Sequence, residues 1–273
     1  MNARDYQKLP CISSHWLIEM MNSPAACWRK YIDPQRPAPV STEAMRLGTL
    51  VHCLALTPEQ FSKSFIVVDY ERRSIAGKAR YAQLSETGLT LIKRAELDQA
   101  LAIVAALNDK PAVRKFLRRS KKERTIIQPR GGGLLPLKAR FDLHDETRRQ
   151  VMELKTTWNL ATAAAAMERY RYPLSAAFYQ DLARSQNVVF VFVETIPPHN
   201  VEVVSLERPQ LQEGRNQYQT ALQRFDTCWL KGDWPEAEPI TTDFDNDPLW
   251  LGFLPAKAAT GPRVDLPVGE LAL

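Results

Sequence analysis

The 273-residue sequence has no long apolar run. Its longest ones, such as Val188 to Val193, fall far short of the ~20 residues that cross a bilayer, so a membrane partner is not expected. The opening residues, MNARDYQKLP, carry no apolar signal core, and a cytoplasmic protein is the expectation. Cysteine is sparse and scattered. Cys11, Cys27, Cys53 and Cys228 contain no C-x-x-C pair, which points to reduced structural thiols. Gly131-Gly132-Gly133 is not followed by G-K-[ST], so it reads as a hairpin turn and not as a phosphate-cradling loop. No internal repeat is evident.

What is present is ordinary for a globular protein: 45% hydrophobic and 25% charged residues. The length suits one large domain, taken as 1–235, with an appendage. From Pro235 onward there are six prolines, with Trp250 and Phe253 and little periodicity, so 236–273 reads as an extended arm. The net charge of +5 and pI near 9.0 suit a polyanionic partner without establishing one.

The chain is organised around Lys138 to Thr157. Leu135, Leu137, Ala139 and Phe141 alternate with Pro136, Lys138, Arg140 and Asp142, the period of a strand. Gln150 to Thr156 alternates in return, and His144 to Arg149 supplies the turn. With the tip near Thr147, Asp142 and Glu153 fall opposite each other, and Lys155 lies on the face of Glu153.

Facing carboxylates are unfavourable in a structural hairpin. In a partly buried cleft their repulsion reaches a few kcal/mol, by ~332/(ε·r) at an effective ε of about 20. A divalent cation between them converts the cost into a binding site. Mg²⁺ takes oxygen ligands at roughly 2.0–2.1 Å and keeps positions open for water and phosphate. A lysine beside it can orient or deprotonate an attacking water. The competing reading is a surface hairpin with solvated charges, in which Arg140 and Lys155 are counter-ions.

The same residues resemble the active-site motif of PD-(D/E)XK nucleases, with Asp142 in the first acidic position and Glu153-Leu154-Lys155 as the E-X-K. Lys138, Arg140, Asp142, Glu153, Lys155, Thr156 and Thr157 together resemble the RecE-type exodeoxyribonuclease VIII family of phage and prophage recombination. The helix-capping "SPA" stretch at Ser23-Pro24-Ala25 and the aromatic-basic segment after it are also similar to that family. The resemblance spans roughly residues 10 to 235. It implies an α/β fold, a restriction-endonuclease-like mixed central sheet flanked by helices.

Two helices are expected over 12–31, broken at Ser23-Pro24, with Trp16, Trp28 and Tyr31 as packing residues. Asp33 to Val40 is a linker, and Ser41 opens a helix to Leu56. There, His52 stands among Leu47, Val51, Leu54 and Leu56, which suits a packed histidine. The G-x-x-x-H form, however, resembles the helix that RecB-, AddB- and RecE-type nucleases place beside their metal site. The resemblance makes His52 a metal ligand, with Gly48 allowing close packing on the sheet.

Further helices are expected over Ala79–Leu91 and Arg94–Leu107, the latter with a stripe of Leu97, Leu101, Val104, Ala105 and Leu107. The basic run Arg114, Lys115, Arg118, Arg119, Lys121, Lys122 and Arg124 reads as a solvated face that, beside a nuclease motif, contacts phosphates. Glu123 is expected to open a strand Arg124–Gln128, and by resemblance approaches the metal directly or through water. Helices follow at Ala161–Tyr170 and from Pro173 to about Ser185. That last helix resembles the family's Gln-x-x-x-Tyr helix: Tyr179 matches the tyrosine, and Ser175 replaces the glutamine. Val188–Thr195 reads as a doubly buried strand, Val201–Leu206 as another, and Arg208–Leu230 as a long helix.

The expected function is a Mg²⁺-dependent exonuclease, with Mn²⁺ as substitute, digesting one strand of linear double-stranded DNA from its ends. Asp142, Glu153, the Leu154 carbonyl and His52 would hold metal, and Lys155 would serve the water. Glu123 and Tyr179 are further candidates, and Arg140 joins the basic run as a DNA contact. The resemblance also implies a ring-shaped homo-oligomer and a single-strand annealing recombinase as partner. Two alternatives stay open: a DNA-binding or scaffold protein with a lapsed site, and a structure-specific endonuclease. Arg72, Arg73, Arg169 and Arg171 are unranked candidates for a terminal phosphate.

Overall fold

The computed structural model describes residues 3–38, 40–70 and 74–237, with residues 3 and 4 described by backbone alone. Arg72, Arg73 and the arm beyond Ala237, including Trp250 and Phe253, lie outside the described residues. The chain divides at Ala237 into Met1–Ala237 and Glu238–Leu273, and every described helix and strand belongs to the first unit.

In chain order the elements are α1 (Ala3–Lys8), α2 (Ser14–Asn22), α3 (Pro24–Tyr31), α4 (Glu43–Leu56), α5 (Phe61–Ser64), β1 (Phe65–Val68), α6 (Ile75–Ser85), β2 (Thr90–Lys93), α7 (Arg94–Asp109) and α8 (Pro111–Arg119). Then come β3 (Lys121–Gln128), β4 (Leu137–Asp145), β5 (Gln150–Thr157), α9 (Ala163–Arg169), α10 (Tyr172–Ala183), β6 (Asn187–Glu194), β7 (Val201–Ser205) and α11 (Arg208–Lys231).

The central sheet has the order β3-β4-β5-β6-β7. Only β5 and β6 run parallel, because α9 and α10 carry the chain back between them; the other neighbours are antiparallel. The sheet is therefore mixed and flanked by helices, as expected for the restriction-endonuclease-like class. One apolar cluster joins Phe141, Val151, Phe190 and Phe192 to α2, α10 and α11. The other joins Leu143, Met152, Leu154, Val191 and Val193 to α4, α7 and α8. β6 contributes to both, which explains its unbroken apolar run.

Local signals account for most boundaries. Pro24 starts α3 one residue after Ser23, whose hydroxyl accepts from the Ala26 N–H at 2.9 Å. Thr42, not Ser41, caps α4, accepting from Met45 N–H at 3.2 Å. Trp16 is buried and stacks on Tyr31 at 5.0 Å, as packing residues should. The four cysteines are free and buried. Among the described residues, no helix is long and apolar enough to cross a membrane.

Two expectations fail. The helix over Ala79–Leu91 is displaced: α6 ends at Ser85, and Thr90–Lys93 is a strand paired parallel with Phe65–Val68. Four-residue strands carry too little periodicity to be recognised before their partner is known. On α7 the buried stripe is Leu97, Ala100, Ile103 and Leu107, and Leu101 faces outward.

Candidate active site

The site forms where the sheet comes apart. The β4–β5 ladder pairs Asp145 with Gln150, His144 with Val151 and Leu143 with Met152, then stops. The next pair in the same register is Asp142 with Glu153. On the other side, β3 skips the pair of Asp142 with Glu123, whose φ of 51° is left-handed and unusual for a non-glycine residue. Phe141 packs in one apolar cluster and Leu143 in the other, so strand alternation slips at Asp142.

Side chains take over the hydrogen bonds that the ladder gives up. The Asp142 N–H donates to Glu153 Oε1 (3.3 Å), and the Leu154 N–H donates to Asp142 Oδ2 (2.7 Å). Lys155 Nζ donates to the other Glu153 oxygen at 3.1 Å. The carbonyl of Leu154 is left facing α4.

Helix α4 places His52 in that opening. Gly48 lets the helix come close to β5: a Cβ there would meet Thr156 Oγ1 at 3.2 Å. His52 Nδ1 lies 2.8 Å from the Gly48 carbonyl, which can only accept, so Nδ1 carries the hydrogen. Nε2 then points at two further acceptors, Leu154 O at 3.0 Å and Asp142 Oδ2 at 3.2 Å. Three electron-rich atoms converge there, and a proton or a cation must sit between them.

The protonation states follow from burial and this crowding. Burial by itself pushes the His52 imidazolium down, but the Asp142 carboxylate outweighs it and raises its pKa to about 9. Burial disfavours the Asp142 carboxylate too, yet His52 and Lys155 hold it below its ordinary range. Burial and the Asp142 charge push Glu153 up to about 7. Lys155 is likewise enclosed, and Glu153 and Asp142 overcome that to raise it above its ordinary value.

The donor set fits a hard divalent cation. It offers two carboxylates, a main-chain oxygen and one imidazole nitrogen with its other nitrogen already fixed. Among the described residues, no three His, Cys, Asp or Glu side chains stand in ligating positions as they are. The closest trio is completed by the Leu154 carbonyl, and Glu153 is turned toward Lys155 and the Asp142 amide.

The other expected residues divide. Tyr179 is buried, with its ring edge-on to Phe141 at 5.3 Å, and burial plus the Glu153 charge raises its phenol well above the ordinary value. Ser175 is buried beside it on α10. Glu123 lies inside β3 instead of ahead of it, with its carboxylate bonded to Arg140 Nε. Arg140 is thus engaged and half-buried, not presented as a free DNA contact. Lys138 is buried and holds the C-terminal end of α1 and the residue after it through the carbonyls of Tyr6 (2.8 Å) and Leu9 (2.9 Å).

Arg114, Lys115 and Arg118 are exposed on α8, and Lys122 on β3. Arg119 and Lys121 are exposed too, but Arg119 reaches Asp145 (3.8 Å) and Lys121 reaches Glu146 (2.5 Å).

Three aromatic or imidazole groups near the site were not among the expected site residues. Tyr6 stacks under Lys138 Nζ at 4.7 Å, and burial, with Tyr179 and Glu153 behind it, raises its phenol. His15 is exposed at the surface, and the protein packed around it, with Lys155 and Lys30, lowers its pKa from the ordinary value. Tyr172 lies under Lys155 Nζ, 5.8 Å from its ring centre. Tyr172 alone had a signal, standing just before the Pro173 helix start.

The sequence pattern of a PDDEXK-like domain of unknown function (DUF3799) matches residues 13–240. No curated protein matches the chain. Among solved structures, a candidate exonuclease from Eubacterium rectale superposes with a TM-score of 0.59 at 12% identity, covering 96% of each chain. A phage-related exonuclease from Haemophilus somnus covers 85% of this chain and 100% of its own at 11% identity, with a TM-score of 0.37, a likeness too weak to bear on the fold.

Proposed function

We propose, from the premise that this chain belongs to the DUF3799 family of PDDEXK-like domains and so to the PD-(D/E)XK nuclease superfamily, that it is a metal-dependent exodeoxyribonuclease acting on ends of linear duplex DNA. The observation that carries the reading is the meeting of His52 Nε2, Asp142 Oδ2 and Leu154 O at the parting of β4 and β5, with Glu153 and Lys155 alongside.

Asp142, Glu153, the Leu154 carbonyl and His52 are the residues that would hold Mg²⁺, or Mn²⁺ in its place. When bound, the ion supplies Lewis-acid polarisation of the scissile phosphate and a more acidic water. His52 must first give up its Nε2 proton, and Glu153 its own. Lys155, raised by the two carboxylates, remains an ammonium while they are uncompensated. With the charge of Glu153 and Asp142 compensated, Lys155 would be released from them to orient the attacking water and to offset charge building on phosphorus. The water oxygen bonds to phosphorus, the bond to the leaving oxygen breaks, and a proton returns to that oxygen.

The exposed cations of α8 supply a non-specific grip on phosphates. Resemblance to RecE-type enzymes extends the reading to a cytoplasmic ring-shaped homo-oligomer working with a strand-annealing recombinase in phage-type recombination. Sedimentation of the purified protein tests the ring.

The decisive experiment uses Lys155→Ala with Mg²⁺ on linear and on covalently closed DNA. The parent should shorten linear duplex and leave circles intact, and the variant should lose at least about 100-fold in rate. Equal digestion by the variant overturns the assigned chemistry. Cut circles favour an endonuclease instead.

A further inference from the structure

A row of aromatic rings leads from the core, past Lys155, to the surface. Tyr172 lies on Phe190 with ring centres 5.1 Å apart and planes 12° apart. Tyr170 continues the row, 6.0 Å from Tyr172 at 25°. Lys155 Nζ sits 5.8 Å from the centre of the Tyr172 ring, and the Arg169 guanidinium 5.7 Å from that of Tyr170. Tyr170 is 52% exposed, so the row ends in a large ring open to water.

Isolated surface aromatics need no explanation. This one differs in three ways. It is seated on a ring that is itself fixed to the buried Phe190, so it is pre-positioned. It stands in the short turn between α9 and α10, where Arg171 takes a left-handed φ of 50°. Cations flank it on the chain, Arg169 and Arg171, and the row's inner ring touches the lysine of the site. An exposed ring with a guanidinium over it matches an unpaired nucleobase joined to its phosphate, the base taking the ring and the arginine the phosphate.

We infer that Tyr170, seated on Tyr172, is a stacking platform for an unpaired base of the DNA strand being cut, with Arg169 on the adjoining phosphate. The inference rests on the nuclease reading and deepens it: the strand entering the site is single-stranded at its tip. Tyr170 acts on substrate positioning and leaves the metal ligands untouched.

The test uses the full chain in EDTA, so that no cleavage occurs, and an oligonucleotide carrying 2-aminopurine at its unpaired terminus. Stacking on Tyr170 quenches the 2-aminopurine fluorescence. Tyr170→Ala should abolish the quenching and weaken binding about tenfold, whereas Tyr170→Phe, which keeps the ring, should restore both. With Mg²⁺, Tyr170→Ala should raise KM more than it lowers kcat. Unchanged quenching and affinity in Tyr170→Ala overturns the inference, as does a Tyr170→Phe variant that behaves like Tyr170→Ala. If the parent quenches but never cleaves with Mg²⁺, the platform stands and the nuclease reading falls. If it cleaves without quenching, the reverse holds.

Discussion

His52 Nε2 lies 3.0 Å from the carbonyl oxygen of Leu154, 102 residues further along the chain. Two lone-pair groups at this distance repel unless something positive lies between them. In the protein without metal, that is the proton His52 retains through its raised pKa. The same vacancy in the β4–β5 ladder that frees Leu154 also brings Asp142 Oδ2 to the imidazole.

Stability without metal should fall as pH rises. Glu153 is raised from 4.5 to about 7 and His52 from 6.5 to about 9. Both hold protons more tightly folded than unfolded, so their contributions are complete below the ordinary values and vanish through the raised ones. The loss should run from about pH 5 to about pH 9. Thermal melts in EDTA across that range check it, and a melting temperature that climbs steadily through the window contradicts it.

Under the proposed ligand set, metal binding should have the opposite slope. Glu153 and His52 must each lose a proton before they can ligate, so affinity for Mn²⁺ should increase between pH 6 and 9 with proton release. Calorimetry in buffers of different ionisation heat counts those protons. Replacing His52→Ala should weaken Mn²⁺ by at least about tenfold, a loss seen even for outer-sphere partners. An unaltered affinity removes His52 from the ligand set.

Salt separates the basic helix from the chemistry. The triple variant Arg114→Ala, Lys115→Ala and Arg118→Ala removes three exposed cations that have no ion-pair partner among the described residues. If each contacts a phosphate, the log–log salt slope of duplex binding should flatten by about 2 to 3. Fluorescence anisotropy at several salt concentrations measures it; parallel slopes would assign this face to solvent.

Gly214 sets the spacing of α10 against α11. A Cβ at that position would fall 2.1 Å from the Pro173 carbonyl oxygen and 2.3 Å from its carbon. Backbone cannot yield as a flexible side chain does, so Gly214→Ala should destabilise by about 3 kcal/mol. Because Pro173 stands in the first turn of the helix that carries Tyr172 and Tyr179, activity should fall with it. Urea denaturation reads the stability change, and a shift under about 0.5 kcal/mol refutes the close approach.

The chain alone determined what depends on neighbours in sequence. Asp142 and Glu153 are symmetric about a polar turn, so pairing them needs only a hairpin, and Lys155 follows from the two-residue period of a strand. The Ser23-Pro24 break, the apolar run of β6 and the length of α11 are equally local. The parallel pair β1–β2, with four residues on each strand, was hidden because its hydrogen bonds join distant segments.

Only the tertiary structure decided how the hairpin opens. The skipped pairs at Glu123–Asp142 and Asp142–Glu153 turn the Asp142 carboxylate toward His52 and Leu154 and leave Glu123 bonded to Arg140. A strand pattern assumes unbroken alternation and gives no sign of where it slips. Tyr6 and Tyr172 likewise reach the neighbourhood through packing of helices on the sheet, where burial and close charges fix their chemistry. Local periodicity sets which residues share a strand face; the field around each of them is a sum over segments that meet only in the fold.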